Sequence, residues 1–202
     1  MSRFTPPSRT YAGYIFDCDG TLVDSMPLHH RAWRHAFERH GASFDFDWRL
    51  FNKRAGKPMD VTVAELNAEF SCQLPIAEVV AAQHQFYLQH FAEIQPVAEV
   101  VEFARSLRGR VALAVASGSR RDIVERSLEL VNIADWFPTV VTASDVERGK
   151  PDPEMMFACA AAMGVAPADC LVLEDGQAGI DAAIAAGMDW VRVGPPPMAA
   201  RP

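Results

Sequence analysis

The sequence predicts an α/β protein: a Rossmann-like parallel sheet core with a helical bundle inserted into it. Three observations carry this prediction. From Val97 to Val193, short apolar strand-like runs alternate with helical patterns, as in a parallel sheet wrapped by helices. One more apolar run, Tyr11 to Phe16, stands alone near the start, and between it and the alternation the stretch from Ala42 to Ile94 is helical in pattern with no strand-like run. Half of the 202 residues are hydrophobic and 22% are charged, which is ample for a core and contrary to disorder.

Taken in order, Tyr11 to Phe16 is β-branched and aromatic rather than alternating, the mark of a strand buried on both faces. Ser25 or Met26 starts a helix with Pro27 in its first turn; His29, Trp33, Ala36 and Phe37 share a face, and Gly41 ends it. Val61, Ala64, Leu66 and Phe70 predict a further helix, and Val79, Val80, Phe86, Leu88 and Phe91 one or two more. Trp33, Phe44, Phe46 and Trp48 read as core of this bundle, with lining of a substrate pocket by one of them as the alternative. After the Gln95-Pro96 step, a helix through Val97, Val100, Val101, Ala104 and Leu107 ends near Gly109. A strand at Val111–Ala116, a helix through Ile123, Val124 and Leu128, and a strand at Thr139–Thr142 follow. The helix Pro153–Met163 is closed by Gly164, then come a strand at Cys170–Leu173, a helix at Gln177–Ala186 and a last strand at Trp190–Val193. The resulting division is a discontinuous core of residues 11–25 and 96–194, a helical domain of residues 26–95, and loose tails at 1–10 and 195–202.

Bulk properties narrow the function. A formal charge of −7 argues against nucleic acid or an anionic membrane as the main partner. No apolar run is long enough to span a bilayer, and residues 1–10 lack the apolar segment of a secretion signal. Cys18, Cys72, Cys159 and Cys170 form no CxxC pair, so zinc is not indicated and free thiols in a reducing compartment are expected. His29, His30, His35, His40, His84 and His90 show no paired metal spacing. These features predict a cytoplasmic protein, a monomer or weak dimer, acting on a small molecule.

Ligands of open parallel sheets bind beyond the carboxyl ends of the strands. Here those ends read Asp17-Cys18-Asp19-Gly20, Ser117-Gly118-Ser119, Gly149-Lys150-Pro151-Asp152-Pro153 and Glu174-Asp175-Gly176. Taken alone, the first loop is equally a solvated acidic turn or a site that handles a metal or a phosphate. Together the four gather Asp17, Asp19, Glu174 and Asp175 as an oxygen-lined cage suited to Mg²⁺, serine and glycine for phosphoryl oxygens, and Lys150 to offset charge.

The stretches FDCDGTLVDSMPLHHRAW at 16–33, VASGS at 115–119, GKPDP at 149–153 and LEDGQAGIDAAIAAGM at 173–188 resemble the haloacid dehalogenase superfamily. The closest likeness is to its branch with a helical cap, which holds beta-phosphoglucomutase and small sugar-phosphate phosphatases. The resemblance covers nearly the whole chain after residue 10 and is weakest over 42–95. It implies phosphoryl transfer through an aspartyl-phosphate, with Asp17 as nucleophile and Asp19 as general acid and then base. It further implies Mg²⁺ held by Asp17, Asp175 and the backbone carbonyl of Asp19, with Glu174 a further ligand or a partner behind the ligands. Ser117 and the amide of Gly118 would hold phosphoryl oxygens, and Lys150 would bridge phosphate and Asp17. Asp19 argues against a dehalogenase, because halide needs no proton to leave.

The resemblance also sets expectations with open alternatives. Family members often carry serine where this chain has Gly176, so altered Mg²⁺ affinity is expected. His29 matches a mutase histidine that assists the acid, or packs beside Trp33 as an ordinary helix residue. Residues 52–60 resemble the specificity loop centred on Gly56, but Ala55 and Met59 stand where mutases carry lysine and arginine. Lys53, Arg54 and Lys57 compensate for that loss or form a solvated face. Ser119 and Arg120 match a stretch that binds a distal phosphate in the mutases. Pro27 and Pro58 look like fructose-1-phosphate-type phosphatases. The expected function is therefore a Mg²⁺-dependent phosphatase of small sugar phosphates. The alternatives are a phosphosugar mutase and a catalytically idle phosphosugar-binding protein.

Overall fold

The computed structural model describes residues 4–54 and 57–194. Residues 1–3 of the first expected tail, the whole of the second at 195–202, and Ala55 and Gly56 of the expected specificity loop lie outside the described residues. Five strands form one sheet: β1 (Gly13–Phe16), β2 (Ala112–Ser117), β3 (Thr139–Thr142), β4 (Cys170–Glu174) and β5 (Asp189–Arg192). Their order is β3-β2-β1-β4-β5 and every pairing is parallel. All the carboxyl ends therefore open on one edge, and β1 sits at the centre, where the strand order reverses direction.

Residue choice in β1 follows from that central place. Ile15 and Phe16 are both wholly buried, one on each face. On one face, Ile15 joins Ala114, Ala116 and Val172 against Met155, Met156 and Cys159 of α7 (Glu154–Met163) and Ala182 and Ala183 of α8 (Gln177–Ala185). The small alanines on β2 and α8 let these layers approach closely. On the other face, Tyr14 and Phe16 contact the ring of Phe103, carried by α5 (Ala98–Leu107), and Phe16 also meets Phe137 edge-on. Helix α6 (Arg121–Leu130) buries Ile123, Val124, Ser127 and Leu128. Residues 4–10, expected as a loose tail, include Phe4, which is 5% exposed and packs on Phe103 at 5.0 Å. A lone aromatic among prolines and serines carries no periodicity, yet it covers apolar surface that α5 leaves open.

The chain divides into two compact units, one of Met1–Asp24 with Gln95–Pro202 and one of Ser25–Ile94. At the division the backbone runs double: Asp24 N–H donates to Gln95 O at 2.8 Å and Val97 N–H to Leu22 O at 2.9 Å. Leaving and returning chain are thus clamped together as they join the sheet unit.

The helical unit holds α1 (Met26–Arg39), α2 (Trp48–Arg54), α3 (Met59–Glu69) and α4 (Ile76–Gln89). Its core joins Trp33, Ala36 and Phe37 of α1 to Phe46, Leu50, Phe51, Val63, Leu66 and Val79. Two sequence expectations need correction. On α3 the inward residues are Thr62, Val63 and Leu66, while Val61 is 41% exposed. On α4 the buried stripe is Val79, Gln83 and Tyr87 at four-residue spacing; of the residues that predicted this helix, Val79 is buried, while Val80, Phe86 and Leu88 are half-buried. Arg54 is 3% exposed and pairs with Glu65 and Glu69 of α3, so a cation on α2 forms part of the packing between these helices.

Candidate active site

The site is built on the carboxyl edge of the sheet. Asp17 continues β1 by one residue, its N–H donating to Leu173 O at 2.9 Å, and the residue is 6% exposed. The chain then coils on itself: the amides of Thr21, Leu22 and Val23 all converge on Cys18 O. Cys18, Leu22 and Val23 are wholly buried and pin this coil, which leaves Asp19 half-buried above it. Gly20 has φ of +85°, and a Cβ there would lie 2.3 Å from Asp175 Oδ2. Glycine is needed both for the turn and for the approach of the second acidic loop.

That second loop ends β4. Glu174 is 3% exposed, and its Oε1 accepts from the Gly176 N–H at 3.0 Å. The backbone amide, rather than a side-chain hydroxyl, makes the polar contact at Gly176, and an added Cβ would come 3.3 Å from the same oxygen. Gly179, in the first turn of α8, is tighter still: a Cβ would fall 1.8 Å from Glu174 Oε2. The helix carries a glycine there because the carboxylate occupies the space.

Lys150 closes the site. Its ammonium donates to Asp17 Oδ1 at 2.8 Å, Glu174 Oε2 at 2.6 Å and Ala116 O at 2.9 Å. The lysine comes from the loop after β3 and reaches groups at the ends of β1, β2 and β4. Oxygens of Asp17, Glu174 and Asp175 lie within 4.8 Å of one another. Burial, and then the Glu174 charge, push the Asp17 carboxyl well above the usual range, with Lys150 pulling the other way. The same two causes push Asp175 up to about 7. For Lys150, burial disfavours the ammonium, but Asp17 and Glu174 outweigh it and raise its pKa. The lysine offsets one of three crowded carboxylates, so the cluster favours a further cation, and an all-oxygen donor set suits a hard one such as Mg²⁺.

The loop after β2 supplies hydroxyls. Ser117 is 1% exposed, and its Oγ accepts from the Ser119 N–H at 3.1 Å. Ser119 Oγ in turn donates to Asp19 Oδ2 at 2.6 Å. The Cβ direction of Gly118 is open, with no atom within 4 Å. Asp17, Asp19, Ser117, Ser119, Lys150, Glu174 and Asp175 are therefore brought together at one edge. Arg120 is exposed and pairs with Asp122 at 3.0 Å.

The remaining candidates belong to the helical unit. His29 stacks on Tyr87 with ring centroids 4.1 Å apart. Lys57 pairs with Glu65, and Lys53 with Glu69 at 3.1 Å. His30, read in the sequence only as one of six histidines without metal spacing, is buried, stacks on Trp48 and holds its Nε2 2.9 Å from Phe46 O; burial lowers its pKa. Sequence reasoning took Gly20 only as part of the first loop's turn and passed over Gly179 and the Ala116 carbonyl. The glycines carry a signal, each lying within a few residues of an acidic strand end. The carbonyl carries none.

The sequence matches the family profile described as haloacid dehalogenase-like hydrolase over residues 11–187. It is 36% identical over 185 residues to a fructose-1-phosphate phosphatase of Escherichia coli, covering 91% of this chain and 96% of that protein. It is 30% identical over 187 residues to a beta-phosphoglucomutase of Bacillus subtilis, covering 89% and 82%. A solved structure of a haloacid dehalogenase-like protein from Agrobacterium tumefaciens, of unknown function, aligns with a TM-score of 0.77 at 27% identity, covering 89% of this chain and 81% of that one.

Two predictions follow from this geometry. Gly179→Ala forces Glu174 aside and is expected to cost roughly 1–3 kcal/mol in a denaturant titration; an unchanged midpoint would mean that the carboxylate does not fill that space. The second concerns pH without metal. An unfolded aspartate ionises near about 3.9, so between there and about 7 the folded chain keeps a proton on Asp175 that the unfolded chain has lost. Stability then falls as pH rises through this window and levels off above it. The melting temperature of metal-free protein is expected to fall by roughly 5 °C or more between about pH 5 and 7.5, and Asp175→Asn to make that fall smaller, with the raised Asp17 carboxyl carrying the rest. A rise over the same range would contradict the assignment.

Proposed function

The chain belongs to the haloacid dehalogenase-like hydrolases, and from that premise we propose that it is a Mg²⁺-dependent phosphatase of small sugar phosphates working through an aspartyl-phosphate. The observation that carries the reading is the contact of Lys150 with Asp17 beside the carboxylates of Glu174 and Asp175. A carboxylate is a modest nucleophile, and here one oxygen of Asp17 is held by an ammonium while the site keeps charge relief close to where a phosphoryl group would arrive.

In the first half of the reaction, an Asp17 oxygen attacks phosphorus as the ester P–O bond breaks. Asp19 gives its proton to the leaving sugar oxygen. In the second half, Asp19 takes a proton from water, the water oxygen attacks phosphorus and the bond to Asp17 breaks. Inorganic phosphate leaves, and both aspartates return to their starting states. Ser117 Oγ and the Gly118 amide hold phosphoryl oxygens, and Lys150 keeps Asp17 aligned. Asp17, Asp175 and the Asp19 carbonyl would hold Mg²⁺, with Glu174 behind them; the ion supplies charge relief for the carboxylates and the phosphoryl oxygens.

The pairing of the cations nearest the expected specificity and distal-phosphate stretches favours hydrolysis over mutase chemistry. Among the described residues, Lys53, Arg54 and Lys57 pair with Glu65 and Glu69, and Arg120 pairs with Asp122. Each would have to give up its partner to bind a bisphosphate. The names of the two curated relatives cover both a sugar phosphatase and a mutase, so the assay must separate them.

Free phosphate release is measured from a panel of sugar mono- and bisphosphates, with Mg²⁺ and with EDTA. Release from a few hexose or pentose monophosphates is expected with Mg²⁺ and is lost with EDTA. Asp17→Asn is expected to lower kcat by about 10³-fold or more. Release that ignores EDTA, or isomerisation of a hexose phosphate without free phosphate, would overturn the reading.

A further inference from the structure

Asp19 is held by a hydroxyl that the chemistry above does not use. Ser119 Oγ donates to Asp19 Oδ2 at 2.6 Å, and the two residues are half-buried at the rim of the site. The partners lie 100 residues apart in the chain, so sheet register makes the contact. Phe16 pairs with Val115, and the loops that follow β1 and β2 leave the sheet side by side. Ser119 is itself held, its N–H donating to Ser117 Oγ at 3.1 Å. A single residue thus links the serine expected to hold phosphate to the carboxyl expected to move the proton.

We propose that Ser119 is a positioning residue of Asp19, aiming its carboxyl at the leaving oxygen, and is not itself a contact for the substrate. This rests on the acid role given to Asp19 above. A carboxylic acid carries its proton on one oxygen. A hydroxyl that donates to Oδ2 makes that oxygen an acceptor, so the transferable proton sits on Oδ1. The P–O ester bond breaks as that proton passes to the sugar oxygen, and Oδ1 later takes the proton of the attacking water. Ser119 neither gives nor takes a proton in either half, which is why it positions rather than catalyses. Without the hydroxyl, the carboxyl turns about its Cβ–Cγ bond and offers its proton less often in the required direction.

The test uses leaving groups. A sugar alkoxide needs a proton to leave, whereas p-nitrophenolate does not. The ratio kcat/KM reports only the steps up to release of the leaving group, which isolates the first half-reaction. Ser119→Ala, Ser119→Thr and Asp19→Asn are compared with the unaltered enzyme on fructose 1-phosphate and on p-nitrophenyl phosphate, with Mg²⁺. Ser119→Ala is expected to lower kcat/KM on the sugar phosphate by about 10- to 100-fold through kcat, and on p-nitrophenyl phosphate by less than about 3-fold. Ser119→Thr, which keeps a hydroxyl, restores most of the loss. An equal fall on both substrates would make Ser119 a structural residue of the loop, and a rise in KM alone on the sugar phosphate would make it a substrate contact; either overturns the proposal. Asp19→Asn separates the two layers of the argument. If it shows the leaving-group dependence and Ser119→Ala does not, positioning by Ser119 fails while the acid role stands; if Asp19→Asn shows none, the acid role fails first.

Discussion

The ammonium of Lys150, lodged between Asp17 and Glu174, is the contact on which the site depends. All three groups are nearly buried, and charges taken out of water need close partners or they neutralise. Much of the surrounding structure can be read as what this contact requires. Gly179 vacates the space that Glu174 fills, Gly20 vacates the space for Asp175, and the Gly176 amide ties down the other Glu174 oxygen. The third acceptor of Lys150, Ala116 O, comes from the end of β2, so the lysine draws three strand ends together. Parallel topology is the precondition, because only then do β1, β2 and β4 deliver these groups to one edge.

The pattern of strand ends was legible in the sequence because chemistry-bearing residues there interrupt apolar runs at fixed places. Asp17, Ser117 and Glu174 each follow a run that is buried on both faces, and a parallel sheet needs no further assumption to align them. Lys150 was legible only by type and motif, since the loop that carries it has no period. Contacts between loops were not legible at all. The bond from Ser119 to Asp19 depends on register and rotamer, and no pattern along the chain encodes either. The helical unit was legible as helices but less so as packing. Its buried stripe on α4 includes Gln83 and Tyr87, which a ranking by hydrophobicity passes over. Phe4 escaped because a single aromatic in an irregular segment has nothing to be in phase with.

The two units differ in how their charged groups are used. The sheet edge carries Asp17, Asp19, Ser117, Lys150, Glu174 and Asp175, all within the stretch that matches a family of hydrolases. The helical unit satisfies most of its own charge: Arg54 is buried against Glu65 and Glu69, and Lys53 and Lys57 share the same carboxylates. Such internal pairing gives that unit rigidity without leaving these cations available for an anionic substrate.

The central claim is that Asp17 takes the phosphoryl group, and trapping tests it most directly. Enzyme mixed with a radiolabelled sugar phosphate and Mg²⁺ is quenched in acid within a single turnover, where an acyl phosphate survives, and the protein is digested and mapped. The account predicts label on the peptide carrying Asp17, appearing before free phosphate and decaying as phosphate forms. Free phosphate formed at full rate with no label on the protein, or label on any other residue, would contradict it.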